Sequence, residues 1–338
     1  MADALSQDSV PAFAREWLLP SLTMKRRLWP PVLGLLYIAA VALLGGLRMD
    51  HVLVGMLGLL DLYNERTRSF LRQFFPFILT GAIYDSMRYF YWPAIEGRVH
   101  VADPYLLERS WFGIGALTPN EWFLEHHWLA LDLACGFAYL VYVGEYLAVA
   151  LLLFFGRREH VLRKLALAFL VVNLLGFITY FVYPAAPPWY VAGYGLGPAR
   201  MDVHSFAAAA NRFDEILGTH FFDQIYGRGV DVYGAYPSLH VAYPLLAVWA
   251  VFRVPRLRWA RSPAIAFFFL MCLSAVYLQH HYVVDVLLGV AYATVTLILV
   301  ERLPAWVQRR AARASSVHPG ASGSPRPAAS VASRSASV

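Results

Sequence analysis

Three residues in the C-terminal half of the chain have types and spacing suited to group transfer: His240, His281 and Asp285. His281 and Asp285 stand four residues apart, which on a helix puts them on one face and within reach of each other. A carboxylate behind an imidazole fixes its tautomer and stabilises the charged ring, leaving the other ring nitrogen for a substrate. His240 arrives from a separate segment, just behind Pro237 and Ser238. One His–Asp pair with one opposed histidine suits a two-step transfer through a covalent intermediate, with a general acid/base. Ser238 precedes an apolar run and can cap the helix that starts there, and the free N–H groups of such a helix start bind anions. Satisfied imidazoles packed between helices would use the same residue types. Two histidines and a carboxylate at the right spacing weigh toward chemistry.

The elements that carry these groups are apolar. The chain has 338 residues, 59% of them hydrophobic and 15% charged, with a mean hydropathy of +0.50. Soluble domains average about 25% charged residues, so the composition excludes an ordinary soluble fold. Ionisable groups inside or at the rim of membrane helices are rare and mark function. The spacing predicts an all-α, polytopic membrane bundle. Its apolar runs are Pro30–Leu47, His51–Tyr63 (short for a full span), the stretch from Arg72 to Trp92, Trp128–Phe155, Leu165–Val182, Ser238–Phe252, Pro263–Leu278 and Tyr282–Val300. This gives eight spans, or six full ones plus a shallow first hairpin.

Net charge is +6, but the cations sit in clusters between apolar runs, so nucleic acid is not the partner implied. Clusters at 25–27, 65–72, 157–164, 253–261 and 302–313 follow the positive-inside rule and place His240 and His281 at the extracytoplasmic face. Residues 1–28 read as a cytoplasmic segment without a cleavable signal, 29–313 as the membrane catalytic domain, and the Ser/Ala/Pro/Gly-rich 314–338 as a disordered tail. Aromatic residues between Pro93 and His127 suggest an interfacial segment. The connection from Tyr183 to Tyr236 is too long to be idle. Cys135 and Cys272 lie in apolar runs and read as core residues. No metal-ligand spacing appears, and no cofactor is expected.

The stretches Pro237-Ser-Leu-His240 and His281-x-x-x-Asp285 resemble the second and third motifs of the type 2 phosphatidic acid phosphatase superfamily. Pro184-Ala-Ala-Pro-Pro-Trp-Tyr190, Asn211-Arg-Phe-Asp-Glu-Ile-Leu-Gly218, Tyr233–His240 and Gln279–Asp285 are similar, in this order, to elements of its inositol phosphorylceramide synthase branch. The likeness spans Pro184 to Asp285. It implies His281 as nucleophile, Asp285 as its orienting group and His240 as acid/base. Membrane lipids would be the substrates, and no metal would take part. A lipid acceptor gives a phosphotransferase; water gives a phosphatase. A non-catalytic transport or scaffold protein is the alternative of another class.

Ala275 stands where the phosphatases usually carry an Arg, and no counterpart of their first motif precedes Pro184. The phosphate therefore needs other cations. Arg88, in Tyr84-Asp-Ser-Met-Arg88, is either a phosphate clamp or the partner of Asp85 three residues away. Arg228 is a second candidate. Arg212 and Asp214 read as loop architecture, Asp132 and Glu145 as helix packing, and His280 as a rim residue.

Overall fold

The computed structural model describes residues 29–227 and 229–317, with side chains through Arg302. The segment 1–28, Arg228 and residues 318–338 lie outside the described residues, and with them the cytoplasmic arm, the second candidate cation and most of the expected tail. Residues 29–300, as far as they are described, lie in one compact unit, to which the following refers; the last helix continues beyond it to Val317.

The described residues are helical, without a β-strand; isolated bridges join the extended backbone at 100, 185 and 234. Helix α1 (Trp29–Leu43) opens with Pro30 and Pro31 in its first turn, where a missing N–H costs nothing, and pairs with α2 (Met49–Leu60). At 15 and 12 residues the two rise only about 22 and 18 Å. The hydrocarbon core measures about 30 Å, so each is short for a full crossing. Leu33, Leu36, Leu43 and Leu53 on it are exposed, as suits a lipid-facing surface.

Helix α3 (Glu65–Ser86) starts at the Asn64 cap and includes the basic cluster in its first turns. Short helices α4 (Tyr91–Ile95), α5 (Ala102–Phe112) and α6 (Pro119–Glu125) fill the aromatic-rich connection. Then come α7 (Leu129–Phe155), α8 (Glu159–Val182), the short α9 (Pro188–Tyr194), α10 (Asn211–Leu217) and α11 (Phe221–Tyr226) of the long connection, α12 (Leu239–Phe252), α13 (Arg261–Tyr277) and α14 (Val283–Val317). Among the described residues, four stretches are long and apolar enough to cross a membrane: α7, α8, α13 with the 3-10 turn before it, and α14 up to Arg302.

Helix α12 packs on α7, α8 and α13, and α8 packs on α3. Leu162, Val172, Leu246, Ala250 and Ala293 belong to the resulting core. Helix α12 has only 14 residues. The chain ahead of it, Val232–Ser238, is largely buried in protein, the condition under which irregular backbone is tolerated at membrane depth. A Cβ on Gly289 would lie 2.3 Å from the Ser238 carbonyl oxygen, so glycine is what lets α14 press onto the first turn of α12. That contact brings the two motifs together.

Candidate active site

His240 sits in the first turn of α12, and His281 in the short connection before α14. His240 Nδ1 lies 3.0 Å from His281 Nε2. His281 Nδ1 lies 3.0 Å from the Ala235 carbonyl oxygen, which can only accept, so Nδ1 carries the hydrogen. His281 Nε2 is then the lone-pair nitrogen and receives the Nδ1–H of His240. The geometry thus fixes His281 in the tautomer a nucleophile needs.

Asp285 is fully buried, with Oδ2 3.4 Å from His281 Nδ1. This is ion-pair distance, reached differently from the one-helix-face expectation. His281 precedes α14, and Asp285 Oδ2 accepts the Tyr282 N–H at 2.8 Å, folding back over the start of the helix. The Ala235 carbonyl therefore shares with Asp285 the work of holding the ring. Ser238 N–H donates to the Asp285 carbonyl at 3.1 Å, tying the motifs through backbone as well.

Ser238 occupies the N-cap position of α12, yet its hydroxyl makes no cap bond. Ser238 Oγ and Asp285 Oδ1 are buried without a hydrogen-bond partner. Unsatisfied groups of this kind are uncommon in folded proteins and need a reason.

His281 is presented by a strained turn. Gln279 has φ +70°, a region that costs a residue with a Cβ roughly 1 kcal/mol. Its side chain donates to the Asn120 carbonyl at 2.8 Å, and Asn120 Nδ2 donates to the carbonyls of Val276 (2.9 Å) and His281 (3.0 Å). Glu108 is fully buried and accepts the N–H groups of Val283 (2.9 Å) and Val284 (3.1 Å), capping α14. Burial raises its pKa. Glu108 and Asn120 come from the segment read as interfacial. Neither stands in a motif, so spacing gave no signal for them.

His280, expected at the rim, is buried. Its ring lies between Tyr139 (5.0 Å) and Tyr226 (4.5 Å), and Nε2 meets the Ala207 carbonyl at 3.2 Å. Tyr139 also stacks on His240 at 4.5 Å, and Tyr142 lies 4.8 Å from it. Burial pushes His280 down to about 3 and His281 down to about 4, so both rings are neutral at pH 7.

Of the candidate cations, Arg88 donates to Asp85, whose carboxylate also binds Arg48 (2.7 Å) and His51 (2.6 Å). Arg212 donates to Asp132 at 2.6 Å and lies over the Tyr277 ring, while its Nη2 is buried without a partner. Asp132 also accepts the Tyr277 hydroxyl at 2.8 Å, in keeping with helix packing. Asp214 accepts backbone N–H groups of Phe221 and Phe222, as expected of loop architecture.

Comparison with known proteins accords with this geometry. The family model described as the PAP2 superfamily matches residues 105–299, taking in Glu108 and Asn120 as well as the motifs. A phosphoinositol dihydroceramide synthase of Bacteroides thetaiotaomicron is 38% identical over 281 residues, covering 80% of this chain and 90% of that protein. The catalytic subunit of inositol phosphorylceramide synthase from Saccharomyces cerevisiae is 35% identical over 119 residues, 35% of this chain and 29% of that one. The inositol phosphorylceramide synthase of Candida albicans is 33% identical over 137 residues, 40% of this chain and 28% of that one. No solved structure matches. The family model covers more than half of the chain and the bacterial relative nearly all of its own length, so the chain belongs to the PAP2 superfamily.

Proposed function

We propose that this integral membrane enzyme is a lipid phosphotransferase that moves a phosphoinositol headgroup from a phospholipid to the hydroxyl of a ceramide-type lipid. The observation that carries the mechanism is the 3.0 Å contact between His240 Nδ1 and His281 Nε2. These are the two nitrogens that a two-step displacement needs, one for phosphorus and one for the oxygens that leave and arrive. The relatives named above supply the substrate classes.

A phosphodiester entering between the rings replaces the His–His hydrogen bond. Its negative charge favours the protonated form of His240. His281 Nε2 attacks phosphorus; the N–P bond forms while the P–O bond to the diacylglycerol breaks, and His240 passes its proton to the departing alkoxide. In the second step the acceptor hydroxyl gives its proton to His240, its oxygen bonds to phosphorus, and the N–P bond breaks. Asp285 and the Ala235 carbonyl hold Nδ1–H and stabilise the ring while it carries the phosphoryl group. Ser238 Oγ, buried without a partner at the head of α12, serves as a donor to a phosphoryl oxygen. Water as acceptor would give the phosphatase reaction on the same machinery.

The site faces the extracytoplasmic side. Arg157, Arg158 and Arg253 line one cleft, so the basic turns after α7 and α12 share one end of the bundle. His240 lies at the opposite end of α12, and the positive-inside rule assigns the basic end to the cytoplasm.

Reconstitution of the protein with phosphatidylinositol labelled in its headgroup, plus ceramide, tests the activity. Label should pass to the ceramide. Release of all label to water would leave only the phosphatase reading, and no turnover of any lipid phosphoester would refute both.

A further inference from the structure

Ahead of α12 the chain holds a second polar region that the transfer chemistry does not use. Its centre is Asp231, in the long connection ahead of α12. The carboxylate accepts the Tyr84 hydroxyl at 2.6 Å through Oδ1. Among the described residues no cation pairs with it, and no hydrogen bond engages Oδ2. Asp231, Tyr84, Tyr142, Tyr226 and His240 are enclosed by protein, and yet each keeps partly accessible surface.

This region borders the catalytic motif. A Cβ on Gly234 would lie 2.8 Å from Asp231 Oδ2 and 3.2 Å from the Tyr180 ring, so the carboxylate and that ring flank the same glycine. Tyr142 lies 4.8 Å from the His240 ring, and Tyr226 stacks on His280 at 4.5 Å. Tyr180 donates to the Pro237 carbonyl in the motif itself at 3.1 Å. Tyr180 thus connects the Asp231 carboxylate to the motif that carries His240.

The chemistry of the lining selects what that group is. A carboxylate without a cation repels phosphate and carboxylate groups. It accepts hydrogen bonds from hydroxyls, and phenol hydroxyls beside it both donate and accept. We propose that Asp231, with Tyr84 behind it, is the specificity-determining residue of a headgroup subsite that binds a neutral polyhydroxyl ring through its hydroxyls. Asp231 Oδ2 takes the hydrogen bonds, and Tyr84 holds Oδ1 so that the carboxylate keeps its orientation. The inference rests on the phosphoinositol-transfer reading above and adds the residue that recognises the ring.

The test uses the full-length protein in proteoliposomes with ceramide and either labelled phosphatidylinositol or labelled phosphatidylcholine. Asp231→Asn keeps the shape but replaces one acceptor oxygen with a donor. It should raise the KM for phosphatidylinositol on the order of tenfold or more, because a site built to bind substrate hydroxyls loses discrimination when a partner is removed. The KM for ceramide should move far less, and the preference for phosphatidylinositol over phosphatidylcholine should fall on the order of tenfold. Tyr84→Phe should change the same preference in the same direction, by less. An unchanged preference in Asp231→Asn, with both donors slowed equally, would overturn the proposal and make Asp231 a structural group. A wild-type preference for phosphatidylcholine that Asp231→Asn abolishes would overturn it too, by making the occupant a cation. Wild-type protein that transfers label from neither donor would sink the phosphoinositol-transfer reading itself, a failure distinct from an Asp231 variant that behaves like wild type.

Discussion

Two of the histidine–aspartate pairs among the described residues, His51–Asp85 and His281–Asp285, could hardly be used more differently. In one, His51 donates from Nε2 to Asp85 Oδ2 at 2.6 Å, and its Nδ1 accepts the Arg48 N–H at 3.1 Å. The other Asp85 oxygen takes Arg48 and Arg88. Asp50, His51 and Asp85 bring ligand atoms within 4.8 Å of one another, but the Arg48 guanidinium already bridges the two carboxylates. Both ring nitrogens and both Asp85 oxygens are engaged, so the cluster fastens α2 to α3. In the other pair, His281 and Asp285 meet at a looser 3.4 Å, and capacity is left over at Asp285 Oδ1 and Ser238 Oγ. The tighter pair is a staple, and the looser pair is the proposed site. Residue type is shared; what differs is the hydrogen-bonding capacity left for a substrate.

The contrast can be broken most severely at the histidines. His281→Ala should reduce turnover by at least about three orders of magnitude, and His240→Ala by a similar factor. Groups acting as a unit give non-additive losses, so the double variant should be scarcely worse than either single one. Steady-state rates of the three purified proteins decide this. Losses that multiply would mean the rings act independently.

Asp285→Asn should cost less. A carboxylate that alone sets a histidine tautomer is worth about four orders of magnitude. Here the Ala235 carbonyl also holds Nδ1–H at 3.0 Å, so a loss of about two orders is expected, within the range of general acid–base effects. Loss of membrane expression in place of activity would move Asp285 into the same category as Asp85.

Acidity sharpens the comparison by separating binding from chemistry. Burial lowers His281 from 6.5 to about 4, so the proposed nucleophile stays neutral until the pH falls near 4. Between those values the native protein binds fewer protons at His281 than the unfolded chain does. Its contribution to stability is therefore complete above about pH 6.5 and lost as the pH falls. Burial raises Asp231 to about 6. The KM for the phosphoinositol donor should accordingly rise below about pH 6, while turnover at saturating donor persists to lower pH. A single limb near 6.5 in both parameters would contradict the burial of His281.

The smallest effect is expected at Arg88. Its partner is Asp85, so Arg88→Lys removes only the fork geometry at the staple. Turnover should stay within about threefold of wild type, the range of substitutions away from special features. A strong loss with intact expression would give Arg88 a direct role at the phosphate.

The membrane class and the three catalytic candidates were legible because each leaves a local trace: apolar runs between basic clusters, and histidine and aspartate at fixed offsets. Glu108 and Asn120 were not legible. They act on the α14 start and the Gln279 turn from more than 150 residues away in sequence, and an isolated Glu or Asn carries no periodicity. The i,i+4 spacing of His281 and Asp285 suggested a helix face, whereas the pair meets across a helix start because Gln279 turns the chain just before it. Arg88 could be read two ways because spacing shows that Asp85 is within reach and cannot show that Arg48 and His51 come from another helix to the same carboxylate. Asp231 drew no notice in a loop; its meaning depends on Tyr84, 147 residues earlier.

The most direct measurement is to trap the intermediate. Protein incubated with headgroup-labelled phosphatidylinositol and no acceptor lipid, quenched under alkaline conditions, should carry label that is lost on acid treatment, as a phosphorus–nitrogen bond requires. Peptide mapping should place it on His281, and His281→Ala protein should carry none. Label on His240, or equal labelling of the His281→Ala variant, would contradict the assignment of His281 as the nucleophile.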